Sequence, residues 1–344
     1  MERPRVSIGL PVYNGERFLD QAIRTLLAQT FTDIELLLAD NGSTDGTQAI
    51  CEYWQNADQR VRYLRSEENH GAAWNFNRLL DVARGEYFKW AADDDEHEPG
   101  FIGSCVEVLD HHPDVVLAYT QAVEIDPDSK ILEYRGPVNH VDSESPSARY
   151  RAVLLKEVYC YAIFGVIRTA PLRTTALIGP FTMSDRVLLA ELALHGRFVE
   201  LPEAMYRHRE HPGRSMYKYA DDRDRLWWFD TSRKGGSSMP RWKVGLEYAR
   251  SLRRAPVTGK ERLASWASFA PWALDNQRVL SRELARTVLT LNGKLRLVPP
   301  SSETVPATIP SVEAPPSSHN GEATGGSGTD PDDAGATVRA GDPG

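Results

Sequence analysis

The 344-residue sequence predicts an α/β fold, in which a mostly parallel sheet is flanked by helices and followed by a helical C-terminal extension and a disordered tail. Three observations predict it. Short apolar runs alternate with helically spaced apolar residues over the first 120 positions, helical spacing continues in the later part of the chain, and the composition changes at residue 299. The predicted domains are therefore 1–216, 217–298 and 299–344.

Each element of the first domain follows from a local pattern. Strands are predicted where apolar, often β-branched runs occur, at residues 6–12, 34–40, 61–65, 86–91 and 115–120. Helices are predicted where apolar residues recur at helical spacing, near residues 16–30, 43–54, 72–83 and 100–110. Such regular alternation is typical of a parallel sheet that is covered on both faces.

The acidic balance of the chain comes mainly from its last segment. The formal net charge is −8, and residues 299–344 contain seven Asp or Glu residues against Arg339 alone. That segment is rich in Pro, Ser, Thr and Gly and has no aromatic residue, which predicts disorder because it cannot bury a core. The nearly neutral remainder argues against nucleic acid as a partner.

One basic segment, residues 231–263, contains nine Lys or Arg residues against Glu247 and Glu261. Two interpretations stay open: a solvated helical surface, or a face that docks on an anionic membrane or an acidic partner. No apolar run has the length of a membrane span, and the N-terminus lacks the apolar core of a signal peptide. The expected location is the cytoplasm, with peripheral contact at the inner membrane face as an open alternative.

Polar clusters follow three of the predicted strands. They are Pro11-Val12-Tyr13-Asn14, Asp40-Asn41-Gly42-Ser43 and Asp93-Asp94-Asp95. Ligands of parallel α/β sheets bind at the carboxyl ends of the strands, so these clusters should converge. The chain has neither a GxGxxG nor a GxxxxGK[ST] loop, which disfavours a dinucleotide site or a P-loop.

The aspartate triplet predicts a divalent cation. Neighbouring carboxylates repel each other unless a cation lies between them, and Mg²⁺ or Mn²⁺ typically takes one or two carboxylates together with phosphate oxygens. The sequence therefore predicts a metal that binds a diphosphate.

Three segments carry a resemblance to a known family. Residues 6–47, VSIGLPVYNGERFLDQAIRTLLAQTFTDIELLLADNGSTDGT, together with NHGAAWNFN and GEYFKWAADDDEHEP, closely resemble the N-terminal half of glycosyltransferase family 2. The resemblance implies the Rossmann-like GT-A fold and transfer of a sugar from a nucleotide-diphosphate donor. It is continuous over about residues 5–125 and thins out by about residue 216.

The resemblance also implies roles for residues that follow the first two strands. It assigns Pro11 and Tyr13 to the nucleoside pocket, with Asn14 in the same donor-binding cluster. Asp40 would hold the base or the ribose. The family usually has a second aspartate where this chain has Asn41, which is also placed at the donor.

In the acidic stretch the family pattern is Asp-x-Asp-Asp, and Ala92 replaces its first aspartate. This register makes Asp94 the metal ligand and Asp93 a contact to ribose or diphosphate, while Asp95 faces the sugar or supports the metal from behind. Asn69 matches a loop that packs beneath the donor, and a simple turn is an equal alternative.

Two later segments complete the predicted site. Asp185, at the start of a helical pattern, resembles the general base that deprotonates the acceptor, and it also suits an N-cap. The basic stretch YRHREHPGRSM suggests a loop that folds over the diphosphate, with Arg214 among its cations, or else a solvated turn. The resemblance implies that His211 contacts donor or metal.

These observations predict a metal-dependent inverting glycosyltransferase that uses a nucleotide-diphosphate sugar and a hydroxyl acceptor, such as a glycan, a glycolipid or a cell-envelope intermediate. Two other classes stay open. A non-catalytic nucleotide-sugar-binding protein would keep the pocket without the base, and a sugar-nucleotide pyrophosphorylase would need a glycine-rich basic loop after the first strand, where this chain has Pro-Val-Tyr-Asn.

Overall fold

A computed structural model describes residues 3–136, 141–155, 160–219, 222–232 and 239–291. The tail predicted over 299–344 lies outside the described residues. In the described part, no helix combines the length and the apolar character that crossing a membrane requires.

One curled sheet organises the chain, in the order β3-β2-β1-β4-β8-β6-β9-β5, with β7 paired to β6. Its strands are β1 Val6–Val12, β2 Ile34–Asn41, β3 Val61–Ser66, β4 Tyr87–Trp90, β5 Glu96–His97, β6 Val115–Ile125, β7 Ile131–Arg135, β8 Val166–Arg168 and β9 Arg197–Arg209. Strands β3, β2, β1 and β4 run parallel, as does the β6/β9 pair, whereas β5, β7 and β8 pair antiparallel. The predicted sheet flanked by helices is therefore confirmed.

Side-chain alternation along the strands builds two cores. In β2, Leu36 and Leu38 point to one face of the sheet and Leu37 and Ala39 to the other, and all four are buried. The first face packs on α1 Leu19–Leu27, α2 Thr47–Ala57 and α4 Phe101–His111. The second packs on α3 Ala72–Val82, α5 Pro146–Leu155 and α7 Ser184–His195. A 3-10 helix, Cys160–Phe164, and the short α6, Thr169–Leu172, connect these layers.

Five helices surround or follow the end of β9. They are α8 Ser215–Lys218, α9 Asp222–Phe229, α10 Pro240–Arg254, α11 Gly259–Ala267 and α12 Phe269–Leu291. Tyr248 and Trp272 of this group are buried in the same core as Tyr150 of α5, whose hydroxyl donates to the Tyr248 carbonyl at 2.7 Å. The helical extension shares its core with the α/β part, and the predicted boundary at residue 216 stays a prediction.

Candidate functional site

A large cleft, with a volume of about 1260 Å³, opens at the carboxyl ends of β1, β2 and β4. Its other walls come from the start of α7, the loop after β9, and helices α8, α9, α10 and α12. The cleft is lined by all but one of the predicted site residues, namely Pro11, Tyr13, Asn14, Asn41, Asn69, Asp93, Asp94, Asp95, Asp185, His211 and Arg214. Parallel strands end at one edge of the sheet, which is why clusters distant in sequence meet there.

Asp40 is the exception, because it lies beneath the cleft wall. Its buried carboxylate accepts hydrogen bonds from the Ser43 backbone N–H at 2.9 Å and the Tyr63 hydroxyl at 2.8 Å, and it pairs with Arg65. A buried carboxylate needs such partners. Asp40 therefore supports the turn after β2 from below, and its contribution to the predicted contact with base or ribose would be indirect.

The loop after β1 is fixed by two backbone features. Asn14 adopts φ 55°, donates its backbone N–H to Ser43 Oγ at 2.9 Å and accepts from the Thr44 N–H at 2.8 Å. A Cβ at Gly15 would overlap the Asp93 carboxylate. Glycine therefore allows this loop to lie directly against the acidic loop after β4, a constraint that sequence reasoning missed.

Asp95 is anchored to strand β9. Its carboxylate accepts from the Tyr206 hydroxyl, from His208 Nδ1 at 3.1 Å and from the Arg209 backbone N–H at 2.9 Å. Burial alone would raise the pKa of Asp95, but the charge of His208 and these hydrogen bonds lower that pKa to about 2. Asp95 thus supports the acidic loop, as the alternative role predicted for it requires.

Arg209 fixes the backbone of the same loop. The guanidinium is buried, donates from Nε to the Asp94 carbonyl at 2.8 Å and forms an ion pair with Glu96. Its Nη1 also donates to the carbonyls of Asp126 and Pro127, each at 2.9 Å. Leaving any of these groups buried without its partner would be costly, so the acidic loop and β9 hold each other in place.

His211 orients the side chain of Asp94. Its Nδ1 accepts from the Gly213 backbone N–H at 3.2 Å, so Nε2 carries the proton that it donates to Asp94 Oδ2 at 3.0 Å. The ring also packs on Phe18, with ring centroids 4.8 Å apart. Among the described residues, none donates a hydrogen bond to Asp94 Oδ1, which leaves that oxygen available to a ligand in the cleft.

Asp93 lies beside Asp94 and forms no ion pair with any residue in the part of the chain that the structure describes. Burial raises the pKa of Asp93 well above its usual range, and the charges of Asp94 and Asp95 raise it further. A cation in the cleft would reverse this effect by favouring the ionised carboxylate.

The donor set for a metal ion is small. In the ranges that the structure describes, no group of three or more His, Cys, Asp or Glu side chains is arranged to bind a metal. Mg²⁺ and Mn²⁺ sites that also bind phosphates commonly use only one or two carboxylates. Asp94 and Asp93 fit that kind of site, in which substrate and water supply the other ligands.

Asp185 lies in the first turn of α7. The helix begins at Ser184, its N-cap is Met183 with φ 69°, and no side chain caps it. The predicted N-cap role of Asp185 is therefore wrong: Asp185 is the second helical residue, and its Oδ1 accepts from the Arg186 backbone N–H at 2.8 Å. Asp185 is partly exposed in the cleft and forms no ion pair with any described residue.

Several lysine and arginine residues line the cleft, and Arg214 is the one among them that the sequence predicted. Arg214 is paired with Glu210. Arg17 and Lys218 are exposed and form no ion pair within the described part of the chain. Their only sequence signal is position, because each lies close to a predicted cluster, Arg17 after the loop of β1 and Lys218 after the basic loop.

Helix α9 closes one side of the cleft by packing on the loop before α3. Gly71 has φ 89°, and a Cβ there would lie only 2.5 Å from the Phe229 carbonyl oxygen. The Thr231 hydroxyl donates to the Asn69 carbonyl at 2.5 Å. This packing places Trp228 and Phe229 at the cleft wall.

Asn41 connects that loop to the sheet. Its Nδ2 donates to Asn69 Oδ1 at 2.8 Å and to the Gly71 carbonyl at 3.2 Å, while its Oδ1 accepts from the His70 backbone N–H at 3.2 Å. The backbone carbonyl and N–H fix the orientation of the amide. An aspartate could not make the two donor contacts.

Comparison with protein families matches residues 7–174 to glycosyl transferase family 2. That match spans just under half of the chain. The resemblance inferred from the sequence is thereby confirmed.

Curated relatives match over about a third of the chain. Glycosyltransferase GlyG of Streptococcus pneumoniae serotype 4 is 35% identical over 113 residues, which is 33% of this chain and 38% of GlyG. The GalNAc(5)-diNAcBac-PP-undecaprenol beta-1,3-glucosyltransferase of Campylobacter jejuni is 31% identical over 105 residues, 30% of this chain and 34% of that protein. The chain thus spans less than two fifths of the length of these relatives.

Solved structures match over a longer region. S. aureus TarS 1–349 in complex with UDP-GlcNAc aligns with a TM-score of 0.57 at 18% identity, over 85% of this chain and 84% of TarS 1–349. A second structure of TarS 1–349 aligns with a TM-score of 0.56 at 18% identity, over 80% of this chain and 73% of that one. This likeness establishes the GT-A fold.

The contacts of Asn41 lead to a first prediction. Asn41→Asp should lower the free energy of unfolding by about 1–3 kcal/mol, because the Asn69 and Gly71 oxygens lose their donor and face a carboxylate. Denaturant unfolding measures the change. The matched control is Gln59→Glu, an exposed amide just after α2 with no side-chain hydrogen bond to any described residue, which should change stability by less than about 0.5 kcal/mol. Equal stability of Asn41→Asp and wild type would refute the role given to this amide.

Proposed function

We propose that this protein is a metal-dependent, inverting glycosyltransferase that moves a sugar from a nucleotide-diphosphate sugar to a hydroxyl acceptor. One observation carries the proposal: in a chain whose residues 7–174 match glycosyl transferase family 2, a carboxylate oriented for a cation, Asp94, and a carboxylate at a helix start, Asp185, line the same cleft. Asp94 would hold the cation that binds the leaving diphosphate, and Asp185 would accept the proton of the acceptor hydroxyl.

The nucleoside would bind where the loops after β1 and β2 meet. Pro11, Tyr13 and Asn14 form one wall of that region, and Asn41 and Asn69 form the other. TarS 1–349 has been solved in complex with UDP and with UDP-GlcNAc, which makes UDP the first nucleotide to test here.

A divalent cation, Mg²⁺ or Mn²⁺, would be held by Asp94, with Asp93 beside it. It would neutralise the charge that develops on the departing diphosphate. His211 supports this arrangement from behind, since its Nε2–H holds Asp94 Oδ2. Arg17, Lys218 and Arg214 would add positive charge along the diphosphate.

Asp185 would act as the general base. An acceptor hydroxyl must lose its proton as it attacks the anomeric carbon from the face opposite the diphosphate, and a carboxylate within reach accepts that proton. Asp185 suits this role because it is accessible from the cleft and carries no ion pair among the described residues. Attack from the opposite face inverts the anomeric configuration.

The acceptor belongs to the same proposal. The Campylobacter relative is named for a glucosyl transfer to an undecaprenol-linked glycan. That name supports a glycolipid or another cell-envelope intermediate as the acceptor class here, and with it a cytoplasmic protein that works at the inner face of a membrane.

Asp94→Asn tests the cation. The amide oxygen can still accept the His211 N–H, so the fold should persist, while the lost charge should abolish the Mn²⁺-dependent part of UDP binding. Titration calorimetry with UDP, with and without Mn²⁺, measures this. Asp128→Asn, an exposed change outside the cleft lining, serves as the control and should bind like wild type. Unaltered Mn²⁺-dependent affinity in Asp94→Asn would remove Asp94 from the metal site.

Asp185→Asn tests the base. Donor affinity should stay near the wild-type value, because the proposed diphosphate contacts lie elsewhere, whereas kcat should fall about 10²- to 10⁴-fold. Transfer assays and donor titrations on the same samples separate the two effects. NMR coupling constants should show a product of opposite anomeric configuration to the donor. Retention of configuration would contradict the mechanism, and so would an undiminished kcat.

A further inference from the structure

Helices α11 and α12 expose an apolar surface on the side of the molecule that does not line the cleft. We infer that this surface, called here the α11–α12 surface, docks on an anionic lipid bilayer. Its apolar members are Leu263, Trp266, Leu274, Leu284, Val288 and Leu289. The inference rests on the proposed function only where it concerns a lipid-linked acceptor. It also places the membrane contact on α11 and α12, whereas the sequence suggested residues 231–263.

The exposed residues of this surface are large, and several of them lie on the same face of α12. Leu263 is 72% exposed and Leu274 is 63% exposed. Along α12, Leu274, Arg278, Ala285 and Val288 or Leu289 recur at spacings of three, four or seven residues, which places them along one stripe. The helix is therefore amphipathic, and its outward stripe combines apolar residues with arginine.

The opposite face of α12 is turned inward. Trp272 is buried in the shared core, and Glu283 accepts hydrogen bonds from the backbone N–H groups of Arg241 and Trp242 at 3.1 and 3.2 Å. Val279 and Glu283 line the cleft. A single helix thus separates the cleft from the α11–α12 surface.

The charge of this region is strongly positive. Residues 240–291 contain ten Lys or Arg residues and only four Asp or Glu residues, in a chain whose net charge is −8. Three of the four carboxylates are already bonded within the protein. Glu283 accepts the two backbone N–H groups named above, Glu247 pairs with Lys243 and Arg250, and Glu261 accepts from the Ser147 N–H at 2.9 Å.

Four exposed cations have no such partner. Within the described ranges, no ion pair is formed by Arg253, Lys260, Arg278 or Arg282. A partner that covers the apolar residues of the α11–α12 surface would therefore also meet these positive charges.

This charge decides which occupant fits. A second copy of the chain, docked symmetrically, would bring the same cations face to face, which is unfavourable. An anionic bilayer supplies the opposite charge together with an apolar layer for leucine and valine, and tryptophan is favoured at the level of the headgroups. The cleft would then lie one helix away from a membrane, where a lipid-borne acceptor is concentrated.

Vesicle sedimentation tests the inference with the full chain. The protein should co-sediment with vesicles of equimolar phosphatidylcholine and phosphatidylglycerol, bind poorly to pure phosphatidylcholine vesicles, and dissociate as salt is raised. Arg278→Gln/Arg282→Gln should weaken partitioning about 25-fold, since each cation near an anionic surface contributes about fivefold. Leu263→Ser/Leu274→Ser should weaken it by at least about 10-fold.

The control is Lys130→Gln/Leu132→Ser, which removes an exposed cation and an exposed leucine at the β7 hairpin and should bind vesicles like wild type. UDP titrations on the same samples report whether the cleft is intact, so a failure of the proposed function is seen separately from a failure to dock. Equal vesicle binding by all variants would overturn the inference. Absence of vesicle binding by the wild-type protein would also overturn it. If the wild type self-associates and the surface variants do not, the surface is an interface between two copies of the chain, which likewise overturns the inference.

Discussion

The site depends on the ion pair and hydrogen bonds by which Arg209 of β9 holds the acidic loop after β4. Three adjacent aspartates repel each other, and a loop that carries them needs an external scaffold. Arg209 supplies it by binding the Asp94 carbonyl and the Glu96 carboxylate while it is itself buried. His208 and Tyr206 of the same strand bind Asp95. The loop is thus rigid where it joins the sheet, and Asp93 and Asp94 face the cleft.

This scaffold links the remaining parts of the site. His211 follows β9 directly and orients Asp94, so the strand that fixes the loop also sets the direction of the proposed metal ligand. Gly15 lets the loop after β1 lie against Asp93. On the other side of the cleft, Asn41 holds the loop on which α9 packs. The walls that would bind nucleoside, diphosphate and acceptor therefore meet around one fixed acidic loop.

Much of this arrangement could be predicted from the sequence. The runs that became β1, β2 and β4 are apolar and local, so their strands and the convergence of their carboxyl ends followed from pattern alone. The contacts of Arg209 could not be predicted in this way. Arg209 and Glu96 are 113 residues apart, and no local sequence pattern indicates that they form a pair. The burial of Asp40 depends on Arg65 and Tyr63 of the neighbouring strand. Asp185 is not the N-cap of its helix, because the N-cap is the left-handed Met183, two residues earlier.

The central claim is that the acidic loop held by β9 binds a cation together with a nucleoside diphosphate. The most direct measurement is the anomalous diffraction of Mn²⁺ in crystals grown with UDP and MnCl₂. We expect one strong anomalous peak within coordination distance of the Asp94 carboxylate, about 2.0–2.3 Å as for oxygen ligands of such small divalent cations, and in contact with the diphosphate. Bound UDP with no anomalous peak at the acidic loop would contradict the account.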